Sequence, residues 1–146
     1  MKNFLKDTIQ QAGDIALKYY NQGFEIKTKS HKNDLLTEAD EAVSEFLVKN
    51  IKEKYPDHKI LSEELPEAIN PKSSQEWVVD PIDGTFNFAK GMHIWAVMIA
   101  YLEDGEAKIS AVYFPVTDEL YFAEKDSGAY LNDERISVSE TESLDR

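Results

Sequence analysis

Two aspartates three residues apart, Asp80 and Asp83, stand in the run Asp80-Pro81-Ile82-Asp83-Gly84-Thr85, directly after the apolar stretch Trp77-Val78-Val79. The apolar stretch predicts a buried strand with Asp80 at its end, where the chain leaves the sheet. Pro81 fixes one dihedral and removes an N–H, so the following residues read as a tight turn rather than more strand. In such a turn both carboxylates can face one side. Gly84 lets the backbone approach a ligand closely, and Thr85 offers a hydroxyl at a predicted helix start. Either aspartate alone also fits a plain role, because Asp-Gly is a common turn pair and aspartate a common helix cap. The whole hexapeptide behind a strand is less ordinary and points to a site.

A second acidic group, Ser62-Glu63-Glu64, follows the short apolar run 59–61. Adjacent glutamates are usually a solvated edge. If this strand neighbours the one before Asp80, however, Glu63 or Glu64 stands beside Asp80 and Asp83. Carboxylates gathered in that way repel one another and resist ionisation unless they share a cation. An oxygen-only donor set suits a hard ion such as Mg²⁺.

The overall charge makes that ion more pertinent. The 146 residues include 28 acidic and 16 basic side chains, a formal net charge of −12. Such a surface repels nucleic-acid phosphates and anionic lipid, so neither is an expected partner. It repels a phosphorylated metabolite as well, unless a cation intervenes. No cysteine is present, which excludes disulfides and thiolate chemistry. Lys2, Lys6 and Asp7 interrupt the N-terminal region, so no signal peptide is visible, and the longest apolar run, 94–102, is too short to span a bilayer. A cytoplasmic setting is the expectation.

The elements that must position these residues are visible in the periodicity. Leu5, Ile9, Ala12, Ala16 and Tyr19 mark one face of a first helix closed by Asn21, Gln22 and Gly23. The polar stretch 27–33 reads as a loop or short edge strand. A second helix is predicted from about Thr37 to Tyr55, with Val43, Phe46, Leu47, Asn50 and Ile51 on one face. Thr37 and Asp40 resemble a capping box, and Pro56 forces the end. Period-two runs follow at 59–61, 77–79, 94–102, 108–114, 119–123, 128–131 and 136–138. Turn residues at 104–105, 115–118, 126–128 and 132–133 separate the later ones. One α+β domain over 1–146 is expected, two N-terminal helices packed on an antiparallel β-sheet. The segment 65–75, rich in proline and small polar residues, reads as a mobile surface loop. His31, His58 and His93 are isolated in sequence, Trp95 and Tyr101 look like core residues, and the acidic stretch 140–145 reads as a solvated end.

Asp80 to Thr85 with Asn87-Phe88 resembles the first signature of the inositol monophosphatase family, within the Mg²⁺-dependent, Li⁺-sensitive phosphatase superfamily. Asp34-Leu35-Leu36-Thr37-Glu38-Ala39-Asp40 is similar to an upstream Asp-Leu-hydrophobic-Thr segment of that family, and Ile60-Leu61-Ser62-Glu63-Glu64 to its metal-binding glutamate segment. The order and approximate spacing also match, and Gly128-Ala129-Tyr130-Leu131-Asn132 resembles a stretch just past the family's meander.

The resemblance implies hydrolysis of a phosphate monoester, most simply inositol monophosphate or a related sugar or polyol phosphate. It implies that Glu63, Asp80 and the Ile82 carbonyl bind one Mg²⁺, and that Asp80 bridges to a second held by Asp83. Thr85, hydrogen-bonded to Asp40, would orient and help deprotonate the attacking water, and the Gly84 and Thr85 amides would receive phosphate oxygens. Lys29 matches a basic position near the site, and Glu64 is a further candidate. The family's chains are nearly twice this long and carry a Trp-Asp-x-Ala-Ala-Gly signature in their second half. Neither Trp77 nor Trp95 is followed by aspartate, so the chain reads as the amino-terminal half without the carboxy-terminal α/β half. A homodimer, or association with that half, is the expected assembly.

Wider superfamily activities act on fructose 1,6-bisphosphate, 3′-phosphoadenosine 5′-phosphate and histidinol phosphate, and the sequence does not choose among them. Three other readings stay open: a truncated fragment inactive alone, a non-catalytic module that binds metal, phosphate or a partner protein, and a structural domain whose acidic turns are only caps.

Overall fold

A computed structural model describes residues 1–23, 26–28 and 35–141. Helix α1 (Lys2–Gln22) buries Leu5, Ile9, Ala12 and Ala16, the face given by their spacing. It ends at Gly23 with φ 85°, a conformation that glycine reaches without a Cβ clash. Strands β1 (Ile26–Thr28) and β2 (Leu35–Thr37) form a separate antiparallel pair. Helix α2 (Glu38–Lys54) starts from Thr37, whose side chain and that of Asp40 make a reciprocal capping box, and its last turn stops at Tyr55, just before Pro56.

A seven-stranded sheet follows in chain order: β3 (Lys59–Ser62), β4 (Gln75–Asp83), β5 (Ala96–Glu103), β6 (Glu106–Phe114), β7 (Glu119–Glu124), β8 (Gly128–Leu131) and β9 (Glu134–Ile136). The short helix α3 (Thr85–Ala89) lies between β4 and β5. Helices α1 and α2 pack on each other and on the sheet, giving the α+β layers expected. The core between them holds Leu5, Ile9, Val43, Leu47 and Ile51 from the helices and Ile60, Trp77, Val79, Ile99 and Phe122 from the sheet. Each such fully buried side chain stabilises the fold by about 1.5–3 kcal/mol relative to exposure. No helix of the described residues is long and apolar enough to cross a membrane.

Four local departures from the expectations have physical causes. Strand β3 pairs with β4 in parallel, whereas every later pair is antiparallel. A parallel neighbour needs a crossover, and the segment between β3 and β4 supplies it. That segment, expected to be mobile, is pinned: Ile69 forms an antiparallel bridge with Ile60, and the Asn70 side chain donates to the carbonyls of Pro56 and His58 at 2.7 and 3.0 Å. The bridge also covers the free edge of β3.

The final strand covers Glu134–Ile136 rather than 136–138, because the turn before it is the tightest kind. Asn132 and Asp133 both have positive φ, 47° and 69°, so pairing resumes at once. Lastly, His58 is nearly buried at 9% exposure, although it sits in a polar stretch of sequence. It stacks on Tyr55 and Tyr101, ring centroids 4.9 and 5.7 Å away, and its Nδ1 accepts from Trp77 Nε1 at 3.1 Å.

Candidate metal centre

The site grows from the register of three strands. In the parallel β3–β4 ladder Ser62 lies opposite Val79, and the Glu63 amide donates to the Val79 carbonyl at 3.4 Å. This places Glu63, the residue after β3, beside Asp80, the residue after Val79. Glu64 instead lines a cavity of about 620 Å³ against α2, with Glu41, Ser44 and Leu65.

Asp80 does not end its strand as expected. Strand β4 runs on to Asp83, but the pairing is irregular: Asp80 faces Met98, and the next pair is Asp83 with Ala96. Three steps along β4 thus meet two along β5, the signature of a β-bulge with one extra residue. The consequence is geometric. In a regular strand, residues three apart point to opposite faces, and one inserted residue restores Asp83 to the side of Asp80. Pro81 is tolerated because a bulge leaves a residue outside the ladder.

The chain then leaves the sheet through Gly84, at φ 86° and ψ 37°, and enters α3. A Cβ at Gly84 would stand 3.2 Å from the Ile94 carbonyl oxygen, so this turn needs both the left-handed backbone and the missing side chain. Thr85 Oγ1 lies 2.9 Å from the Ile82 carbonyl and 3.3 Å from Asp40 Oδ1, with one proton to share between them. Asp40 is 1% exposed. Its Oδ2 accepts from the Thr37 amide at 2.8 Å and the Thr37 hydroxyl at 2.5 Å. Sequence reasoning gave Thr37 only a capping role, yet it also anchors the carboxylate that meets Thr85.

The electrostatics centre on Asp80. Its carboxyl is pushed up to about 7, first by burial, then by the charges of Glu63 and Asp83, a side-chain hydrogen bond with Glu63, and the charge of Asp40. Its Oδ1 is buried without a hydrogen-bond partner. A buried carboxylate oxygen left unpaired beside three other acidic groups is costly for the protein alone and is what a bound cation relieves. The donors are all oxygen, which suits Mg²⁺ or a similar hard ion. Among the described residues no three acidic or histidine side chains converge closely enough to enclose an ion by themselves. Mg²⁺ does not require that, since it keeps several waters and takes one or two carboxylates together with substrate oxygens. The residues present therefore fit such an ion in an open site.

Of the residues singled out from sequence, Asp40, Glu63, Asp80, Ile82, Asp83, Gly84 and Thr85 come together here. Lys29 and Asp34 lie outside the described residues, as does 142–145 of the acidic end. Sequence reasoning also missed a hydroxyl pair behind Glu63: Ser44 Oγ on α2 lies 2.9 Å from Ser62 Oγ. Ser44 stands four residues after Asp40, one turn along the same helix face, which is the only signal the sequence offered.

Comparison with known proteins agrees with this architecture. The fructose-1,6-bisphosphatase/inositol-1-monophosphatase of Thermotoga maritima is 35% identical over 137 residues, covering 94% of this chain and 52% of that protein. The extragenic suppressor protein suhB of Bartonella henselae superposes with a TM-score of 0.90 at 32% identity, over 96% of this chain and 55% of that one. A structure of an IMPase/NADP phosphatase complexed with Mg²⁺ and phosphate superposes with a TM-score of 0.78 at 28% identity, over 86% and 48%. The chain thus spans about half the length of the relatives it matches. The family model for inositol monophosphatases matches residues 1–146, and the chain belongs to the inositol monophosphatase family.

Proposed function

We propose that this chain is the metal- and phosphate-handling part of a Mg²⁺-dependent phosphomonoesterase that acts on inositol monophosphate or a related sugar or polyol phosphate. The observation that carries the reading is the bulge at Asp80–Asp83, which sets two aspartates on one side of the sheet next to Glu63, with Asp80 Oδ1 buried and unpaired. The mixed name of the Thermotoga maritima relative and the Mg²⁺ and phosphate in the IMPase/NADP phosphatase structure support it.

Glu63, Asp80 and the Ile82 carbonyl would hold one ion, and Asp80 with Asp83 a second. Bound there, Mg²⁺ supplies charge neutralisation for the phosphate and activation of water for in-line attack. It also removes the conflict between a chain of net charge −12 and an anionic substrate. The remaining steps belong to the protein. Thr85 donates a hydrogen bond to Asp40, so its oxygen would accept one from the attacking water, and as the water's proton passes to Thr85 the hydroxyl's own proton would pass to Asp40. Asp40 stays aimed at Thr85 because Thr37 occupies its other oxygen from two directions. The Gly84 and Thr85 amides would receive phosphate oxygens in the turn that only glycine permits. No covalent phosphoenzyme is required.

The assembly belongs to the same proposal. The sheet face away from the helices exposes Val78 (38%) and Leu61 (36%). A second half like that of the full-length relatives, or a second copy of the chain, would cover it, in a cytoplasmic protein. The test is phosphate release from inositol 1-phosphate with and without Mg²⁺. The 146-residue chain alone should release little, and the chain joined to a second half should turn over. Asp83→Asn in the joined protein should then lower turnover by orders of magnitude while the protein stays folded. Full turnover by Asp83→Asn would end the catalytic reading.

A second reading, a binding module without turnover, draws on the openness of the site, where no three acidic groups enclose an ion among the described residues. Mg²⁺ binding without phosphate release, in the joined protein, would favour it.

A further inference from the structure

We infer that Ser44 is a positioning residue for Glu63, acting through the hydroxyl of Ser62. The inference rests on the metal reading above. Ser62 is the last residue of β3, and Glu63 follows it directly. At that point the main-chain ladder is weak, since the Glu63 amide reaches the Val79 carbonyl only at 3.4 Å, beyond the usual range for such a bond. The neighbouring tie is the hydroxyl pair Ser44–Ser62 at 2.9 Å.

The surroundings show why two hydroxyls there have a directional role. The face of α2 toward the sheet buries Ala39, Val43, Leu47 and Ile51, and Ser44 is 5% exposed among them. Apolar contacts hold a helix against a strand but tolerate sliding. A hydrogen bond in that interface sets distance and direction. Helix α2 therefore reaches the site twice: at Asp40 through Thr85, and one turn later at Ser44 through Ser62. A shift of α2 along its axis would move Thr85's partner and the Glu63 end of β3 together. This couples the group that orients the attacking water to a donor of the ion.

The test uses the 146-residue protein with Mn²⁺ as the probe, free ion being counted by electron paramagnetic resonance and folding followed by thermal melting. Ser44→Ala should weaken Mn²⁺ binding about tenfold, the lower end of the effect of losing a group behind a metal ligand. The melting temperature should fall by no more than a few degrees. Ser62→Ala should do the same, and the double variant should be no weaker than either single one, because both remove one interaction. Ser44→Thr keeps the hydroxyl, and the cavity lined by Ser44 has room for its methyl, so it should restore binding. This variant carries the test even if Ser44→Ala fails to fold. Unchanged Mn²⁺ affinity in Ser44→Ala or Ser62→Ala, additive losses in the double variant, or no rescue by Ser44→Thr would overturn the inference while leaving the metal reading standing. No Mn²⁺ binding by the unsubstituted protein would overturn the metal reading, and the positioning role with it.

Discussion

Thr85 and Asp40, 45 residues apart in sequence, meet with Thr85 Oγ1 3.3 Å from Asp40 Oδ1, which joins the turn after β4 to the start of α2. Asp40 thus serves a helix cap and the site with one carboxylate. Asp40→Asn puts an amide nitrogen where an oxygen now accepts either from Thr37 or from Thr85. A buried donor facing a donor, plus a damaged cap, is expected to cost about 1–2 kcal/mol. In a chain of this size that lowers the melting temperature by roughly 2–8 °C. Calorimetry reads it, and an unchanged melting temperature would show that the capping box contributes nothing.

Asp80 should respond to substitution in a way that betrays its purpose. Its pKa in the folded state, about 7, lies above the ordinary 3.8. Stability linked to the neutral form is complete below the ordinary value and is lost as pH rises through about 7. In the absence of divalent ions, Asp80→Asn should therefore stabilise the protein at pH 8 and change little at pH 4. Partial solvent access screens the repulsion, so a gain of about 1 kcal/mol, or roughly 3 °C, is expected. The proposed ion site also requires MgCl₂ to raise the melting temperature of the unsubstituted protein, and the same variant should lose that rise. A variant that is destabilised at pH 8, or still stabilised by MgCl₂, contradicts the assignment.

Gly84→Ala meets two obstacles, a φ of 86° and the Ile94 carbonyl oxygen 3.2 Å from the new Cβ. Gly91, at φ 69° with open space where a side chain would stand, meets only the first. Left-handed backbone alone costs an alanine roughly 1–2 kcal/mol. Urea titration should find Gly84→Ala clearly less stable than Gly91→Ala, with weaker Mn²⁺ binding in the former alone. Equal stabilities would mean that the approach to Ile94 relaxes freely.

His58 gives a pH dependence of the opposite sign. Burial lowers its pKa from 6.5, against an opposing effect of Asp57. Its Nδ1 accepts from Trp77, so a proton there breaks a bond inside the cluster of Tyr55, Trp77 and Tyr101. A histidine held neutral stabilises the fold above its ordinary pKa, and that contribution is lost as pH falls below 6.5. The urea midpoint should drop between pH 7 and pH 5. His58→Gln, which keeps an acceptor for Trp77 without titrating there, should flatten that drop. An equally steep profile in the variant would assign the pH dependence to other groups.

Much of this was legible in the residues. The spacing of Leu5, Ile9, Ala12 and Ala16 is enough to specify the buried face of α1, because a helix decides its own faces. Thr37 and Asp40 announce the start of α2, and the box forms as expected because its bonds span only three residues. The strands β5 to β8 overlap their period-two runs, with turns where Asp-Gly and similar residues allow positive φ. His58 was not legible, since its aromatic neighbours come from three separate elements.

What the amino-acid order determined by itself was the set of elements and the acidic hexapeptide Asp80 to Thr85, all products of short-range spacing. What only the tertiary structure decided was which acidic groups meet. Asp83 joins Asp80 because β4 holds one residue more than β5 at the bulge, and Glu63 joins them because β3 runs parallel to β4. A strand's side chains alternate, so a single residue of register moves a carboxylate from one face to the other. That register is set by the partner strand, which no local pattern contains.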